Sequence, residues 1–164
     1  MQSKAKLLGH SIHQMLIVFP LGLLAGGVIF DVVYLLNGNP LFASVAYWMI
    51  VAGLIGGVVA APFGFIDWLR AIPSGTRAKR IGALHGIGNA VVLLLFLVSL
   101  LLRPDDGGAS GWAYLFSFAG AGLSLLTAWL GGELVSRLGV GVYEDADPNA
   151  PSSLAPARAR VHAR

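Results

Sequence analysis

Four long apolar runs, separated by short polar breaks, set the pattern of this chain. They cover about residues 12–36, 41–68, 81–102 and 112–135. Asn37-Gly38-Asn39-Pro40 ends the first run, and Arg103-Pro104-Asp105-Asp106-Gly107-Gly108 ends the third. Each run matches or exceeds the about 20 residues that cross some 30 Å of hydrocarbon. No stretch of alternating polarity is long enough for a barrel strand. The pattern predicts an all-α, integral membrane four-helix bundle over residues 1–143. The remaining residues, 144–164, are rich in Ala, Pro, Ser and charge and read as a disordered cytoplasmic tail.

Local signals refine the runs. Ser11-Ile12-His13-Gln14 has the form of a capping box, with Ser11 as N-cap. Pro20 falls inside the first run and predicts a kink; Pro62 falls inside the second with Gly53, Gly56, Gly57 and Gly64. Gly22/Gly26, Gly53/Gly57 and Gly82/Gly86 have the small-xxx-small spacing that lets membrane helices approach closely. Gly82 and Gly86 flank His85, so they could also make room for a flat cofactor.

Composition agrees with lipid as the solvent. Hydrophobic residues are 56% of the 164 and charged residues 12%, against about a quarter in soluble domains. Mean hydropathy is +0.75. Cysteine is absent, which excludes disulfides, thiolate metal sites and catalytic thiols from this sequence. The net charge of +3 resides in loops and tail, a topology signal rather than a nucleic-acid surface. Lys4 and Lys6 precede the first run, and Arg70, Arg77, Lys79 and Arg80 lie between the second and third. Arg137, Arg158, Arg160 and Arg164 follow the fourth, leaving Arg103 alone on the other side. Both termini are therefore expected in the cytoplasm, with the chain multi-pass in the membrane. A signal peptide, the competing reading of the basic start, fits less well because the first run is too long. Trp48, Trp68, Trp112 and Tyr114 stand near run ends, as interfacial aromatics do.

The candidate chemistry gathers on the cytoplasmic side. Ionisable side chains in a membrane segment are costly and mark a function by default. His10 and His13 enter the first helix there, Asp67 leaves the second, His85 enters the third and Glu133 leaves the fourth. Topology alone thus puts five such groups within about 10 Å of depth. Asn89, four residues after His85, shares its helix face. As metal ligands the candidates are His10, His13, Asp67, His85 and Glu133; for haem b they are His13 and His85 as axial ligands, with His10 and Asn89 beside them. The plainer alternative pairs Asp67 with Arg70 and Glu133 with Arg137 and leaves the histidines hydrogen-bonded at the interface. His162 belongs to the solvated tail. On the far side, Asp31 follows His13 by eighteen residues, five helical turns, and is expected to face the bundle and pair with Arg103 or to receive ions. There is no hydrolase triad and no phosphate-binding glycine loop, so no enzyme activity is read.

The sequence around these residues resembles a bacterial membrane family, domain of unknown function 2231. Gly9-His10-Ser11-Ile12-His13-Gln14-Met15-Leu16 with Phe19-Pro20 is similar to that family's G-H-P-x-H-P-x-L…F-P opening. Gly64-Phe65-Ile66-Asp67-Trp68, Ala83-Leu84-His85 with Asn89, and Gly131-Gly132-Glu133-Leu134-Val135 with Gly139-Val140-Gly141-Val142 resemble its later segments. Ser11 and Gln14 replace prolines common in the family, which alters the helix entry and spares the histidines. The resemblance implies four membrane helices and, with the expected topology, a place in the bacterial inner (cytoplasmic) membrane. Some relatives carry a Rieske iron–sulfur domain, which implies an electron-transfer setting; with no cysteine, this sequence holds no such domain.

Three functions follow from these readings. The first is a redox membrane protein binding haem b or a transition metal such as iron, zinc or manganese. The second is a small proton- or ion-coupled transporter subunit, resting on Asp31 and the cytoplasmic cluster linked through the bundle. The third is a structural membrane protein that packs partner helices. The lipid bilayer is the expected partner in all three; a redox partner protein and a homo-oligomer remain open, and nucleic acid is excluded.

Overall fold

The computed structural model describes residues 1–104 and 109–155. The expectations for Asp105, Asp106, Arg158, Arg160, His162 and Arg164 lie outside the described residues. Two short strands, β1 (Lys6–Leu7) and β2 (His10–Ser11), precede helices α1 (Ile12–Leu16), α2 (Val18–Asn37), α3 (Pro40–Arg70), α4 (Arg77–Leu101) and α5 (Gly111–Gly132). A π-helical turn, Glu133–Arg137, continues α5.

Four of these segments are long and apolar enough to cross a membrane: Ile12–Asn37, Pro40–Arg70, Arg77–Leu101 and Gly111–Arg137. The first spans both α1 and α2. They separate at Ile17 because Pro20 has no N–H for the Leu16 carbonyl and its ring crowds that oxygen. The turn after α2 is built as its sequence demands. Gly38 closes the helix at φ 69°, donating to Tyr34 O, and the Asn39 side chain accepts from Leu41 N. Helix α4 starts four residues earlier than the apolar run, because Thr76 caps it through Lys79 N. Lys79 then turns back along the C-terminus of α3. Its ammonium donates to the Trp68, Leu69 and Ile72 carbonyls and lies over the Trp68 ring.

Helices α2 and α3 pack as one hairpin and α4 and α5 as another; α3 against α4 and α2 against α5 close the bundle. Leu24, Ile50, Val92 and Phe96 form its buried apolar centre. Leu, Ile, Val, Phe and Trp side chains cover the outer faces. Such a surface needs lipid, and the helices satisfy their own backbone groups within it.

One end of the bundle is closed by the N-terminal segment. Leu8 at φ 52° and Gly9 at φ 91° turn β1 back onto β2, the two-positive-φ geometry of a tight hairpin. The expected capping box does not form. Ser11 makes no side-chain cap, Ile12 N donates instead to Ala5 O, and Gln14 reaches Val140 O at 3.5 Å. Met1 N donates to Gly139 O and Gly141 N donates to Met1 O, stitching this segment to the chain beyond α5. Tyr143 and Ser153 donate to Gly9 O and Leu8 O, so the described part of the tail lies along the hairpin.

Candidate functional site

His13 enters from the first turn of α1 and His85 from the third turn of α4. Their rings face each other across the bundle with centroids 6.4 Å apart and planes at 90°. Each ring is held in the same way. His13 Nδ1 donates to Ala60 O at 3.1 Å, and His85 Nδ1 donates to Thr127 O at 2.9 Å. A carbonyl oxygen only accepts, so Nδ1 carries a proton in each ring, and in a neutral imidazole the lone pair is then on Nε2. This is the arrangement that orients histidines toward a metal centre.

Glycines let the rings lie that close to the backbone. A Cβ at Gly64 would stand 2.8 Å from His13 Cε1, and one at Gly131 would stand 3.1 Å from His85 Cε1. Asn89 completes the seat of His85. Its Nδ2 donates to the His85 carbonyl at 2.9 Å and lies 3.2 and 3.4 Å from the two ring nitrogens. Nδ1 is already a donor to Thr127 O, so of the two ring nitrogens only Nε2 can accept from Asn89. Thr127 Oγ1 donates to Asn89 Oδ1 at 3.0 Å, sharing its proton with Ser124 O. Gly82 is filled by Trp68 and Gly86 faces open space, so the glycines beside His85 in sequence are not its seat.

The other candidates are engaged elsewhere. Asp67 is buried and accepts from Ser3 Oγ at 2.6 Å, Lys4 N at 2.7 Å and Ala5 N at 3.1 Å, in place of the expected Arg70. Glu133 pairs with Arg77 at 3.0 Å rather than with Arg137. His10 is exposed in β2, its Nε2 3.4 Å from Ser153 Oγ. Among the described residues no three or more His, Asp or Glu side chains gather as a metal site. Of the five expected ligands, the fold brings together His13 and His85.

The far end holds a second polar cluster. Arg103 Nη1 and Nη2 donate to Asp31 Oδ1 and Oδ2 at 2.7 and 2.5 Å, as the sequence predicts. Ser117 Oγ donates to Asp31 Oδ2 at 3.3 Å, and the guanidinium stands 5.7 Å from the Tyr114 ring. The apolar layer of Leu24, Ile50, Val92 and Phe96 separates this cluster from the histidines.

The sequence model of one family, described as "Predicted membrane protein (DUF2231)", matches residues 9–144. The chain belongs to that family. The DUF2231 match spans both histidines, Asp67 and Glu133, and all four membrane helices. Comparison with curated proteins and with solved structures returned no match.

Sequence reasoning missed Thr127, Gly64, Gly131 and the Ala60 carbonyl. Thr127 is a polar residue in an apolar run, which is a faint signal. A backbone acceptor leaves none.

Proposed function

We propose that this protein is a redox membrane protein that holds a haem b, or a single transition-metal ion, between His13 and His85. The observation that carries the reading is the 6.4 Å separation of two rings whose Nδ1 atoms are both committed to carbonyls. His13 and His85 would hold such a group through Nε2, the ring nitrogen that takes no carbonyl. Two histidines are too few for an ordinary zinc or manganese site, which draws four or more ligands. A porphyrin brings four nitrogens of its own and asks the protein only for axial ligands, which favours haem. When bound it supplies one-electron chemistry. Ala60, Thr127 and Asn89 orient the rings, and Gly64 and Gly131 let them seat.

The Lys and Arg distribution favours the cytoplasmic side of a bacterial inner membrane for this end of the bundle, where a redox partner protein would exchange the electron. The transporter reading has less support. Asp31 is neutralised by Arg103, and an apolar layer lies between it and the histidines.

The test is haem and metal quantification on protein purified from membranes in detergent. About one haem per chain is expected. Protein without haem overturns the haem reading, and a stoichiometric metal ion in its place supports the single-ion alternative.

A further inference from the structure

The two hairpins carry the same set of contacts at constant spacing. His13, Leu24, Gly27 and Asp31 each stand 72 residues before His85, Phe96, Ser99 and Arg103 (85 − 13, 103 − 31). In the second helix of each hairpin, Ala46, Tyr47, Gly53, Ala60 and Gly64 each stand 67 residues before Ala113, Tyr114, Gly120, Thr127 and Gly131 (131 − 64).

The correspondence extends to individual contacts. His13 Nδ1 reaches Ala60 O and its ring lies on Gly64; His85 Nδ1 reaches Thr127 O and its ring lies on Gly131. Leu24 fills the space over Gly53, and Phe96 fills the space over Gly120. A Cβ at Gly27 would stand 3.4 Å from Ala46 O, while Ser99 Oγ donates to Ala113 O at 2.7 Å. Burial follows the same spacing. Leu24, Gly27 and Asp31 are the buried positions of α2, and Phe96, Ser99 and Arg103 are buried at the matching places in α4 and just past its end. Any four-helix bundle has rough symmetry. A ring-to-carbonyl bond over a glycine seat, repeated at fixed spacing with the apolar contact eleven residues along, is more than that.

Two contacts join a position to its own equivalent: His13 to His85, and Asp31 to Arg103. A residue meets its own equivalent only at a two-fold axis. Helices α2 and α4 both run from the histidine end to the ion-pair end, so the axis lies along the bundle, as in transporters with parallel repeats.

We propose that the chain is a duplicated two-helix unit, and that His13 and His85 are equivalent ligands on its pseudo-two-fold axis. What binds there meets one imidazole from each half, each held through Nδ1 by a carbonyl of the second helix of its own hairpin. At the other end the halves differ. Two identical charged residues at positions 31 and 103 would bury like charges against each other, whereas Asp31 with Arg103 closes the axis with an ion pair.

The identity of the ligand rests on the haem reading above; the duplication does not. The experiment therefore has two arms on the full chain in detergent. In the first, equivalent positions are exchanged: Asp31→Arg with Arg103→Asp, and Leu24→Phe with Phe96→Leu. Each charge single should lower the melting temperature by roughly 10 °C or more. Each double exchange should return it to within about 4 °C of wild type. Double exchanges no more stable than their singles, for both pairs, overturn the duplication. In the second arm haemin is titrated into wild type, His13→Ala and His85→Ala. The proposal expects a six-coordinate spectrum from wild type, one shared five-coordinate spectrum from the two variants, and equal recovery of both by free imidazole. Spectra or recoveries that differ between the variants overturn ligand equivalence. Haemin ignored by wild type overturns the ligand half and the haem reading together, and the exchange arm then decides the duplication alone.

Discussion

Asp31 and Arg103 meet through two parallel hydrogen bonds at the end of the bundle away from the histidines, with side chains 1% and 0% exposed. Breaking such a pair leaves an uncompensated buried charge at a cost of about 3–5 kcal/mol. Asp31→Ala and Arg103→Ala are each expected to lower the melting temperature in detergent. The double variant should lose less than the sum of the singles, since it leaves neither charge stranded. A wild-type melting curve from either single would contradict the structural role given to the pair.

Asp67 and Glu133 end two membrane helices at the same side of the bundle but differ in what they hold. Asp67 accepts three hydrogen bonds from Ser3, Lys4 and Ala5 and keeps the N-terminal segment in place. Its loss strands those donors, costing about 1–3 kcal/mol. The Glu133–Arg77 pair is open to solvent, with the arginine side chain 58% exposed, and such pairs contribute about 0–1 kcal/mol. Asp67→Ala should therefore melt earlier than Glu133→Ala and become more open to protease at residues 1–11. Equal melting of the two variants would show that the segment is not anchored through Asp67.

Gly64 is the seat of His13. Adding a methyl there puts a carbon 2.8 Å from Cε1 and 2.9 Å from Nδ1, so the ring must move. Gly64→Ala is expected to weaken ligand binding by tenfold or more, for a displacement costing about 1.4 kcal/mol. Gly22→Ala, where a Cβ meets open space, should bind as wild type does. The check is a haemin titration with circular dichroism on the same samples; unchanged binding by Gly64→Ala would rule out the seat.

Orientation can be read by labelling. Asn39→Cys lies at the turn between α2 and α3, and Ser74→Cys at the turn between α3 and α4. In intact cells an impermeant maleimide is expected to label position 39 and to reach position 74 only after the membrane is opened. The reverse pattern would put the histidine end on the outer side.

The sequence made the four helices legible because apolar length and turn chemistry are local signals, as Asn37 to Pro40 shows. It also pointed to Asp31 with Arg103, and to His13 with His85, because helical rise converts residue number into depth. The partners of Asp67 and Glu133 were not legible. Both acids sat near a basic residue in sequence, and the fold instead delivered backbone amides from the chain's first residues and an arginine from α4. The break at Ile17 followed from Pro20, whereas the hairpin before it rests on Leu8 and Gly9, a pair with no strong turn signature. The repeat between the hairpins hid for another reason. Its equivalent positions hold Gly27 and Ser99, Asp31 and Arg103, or Ala60 and Thr127, so the likeness lies in contacts rather than in letters.

The most direct test of the account is the reduced-minus-oxidised absorption spectrum of the protein purified from its own membranes, taken for wild type, His13→Ala and His85→Ala. The account predicts the sharp α and Soret bands of a haem held by two histidines in wild type, and loss of that spectrum in either variant while helicity is retained. A featureless wild-type spectrum, or bands that survive the loss of either histidine, would contradict it.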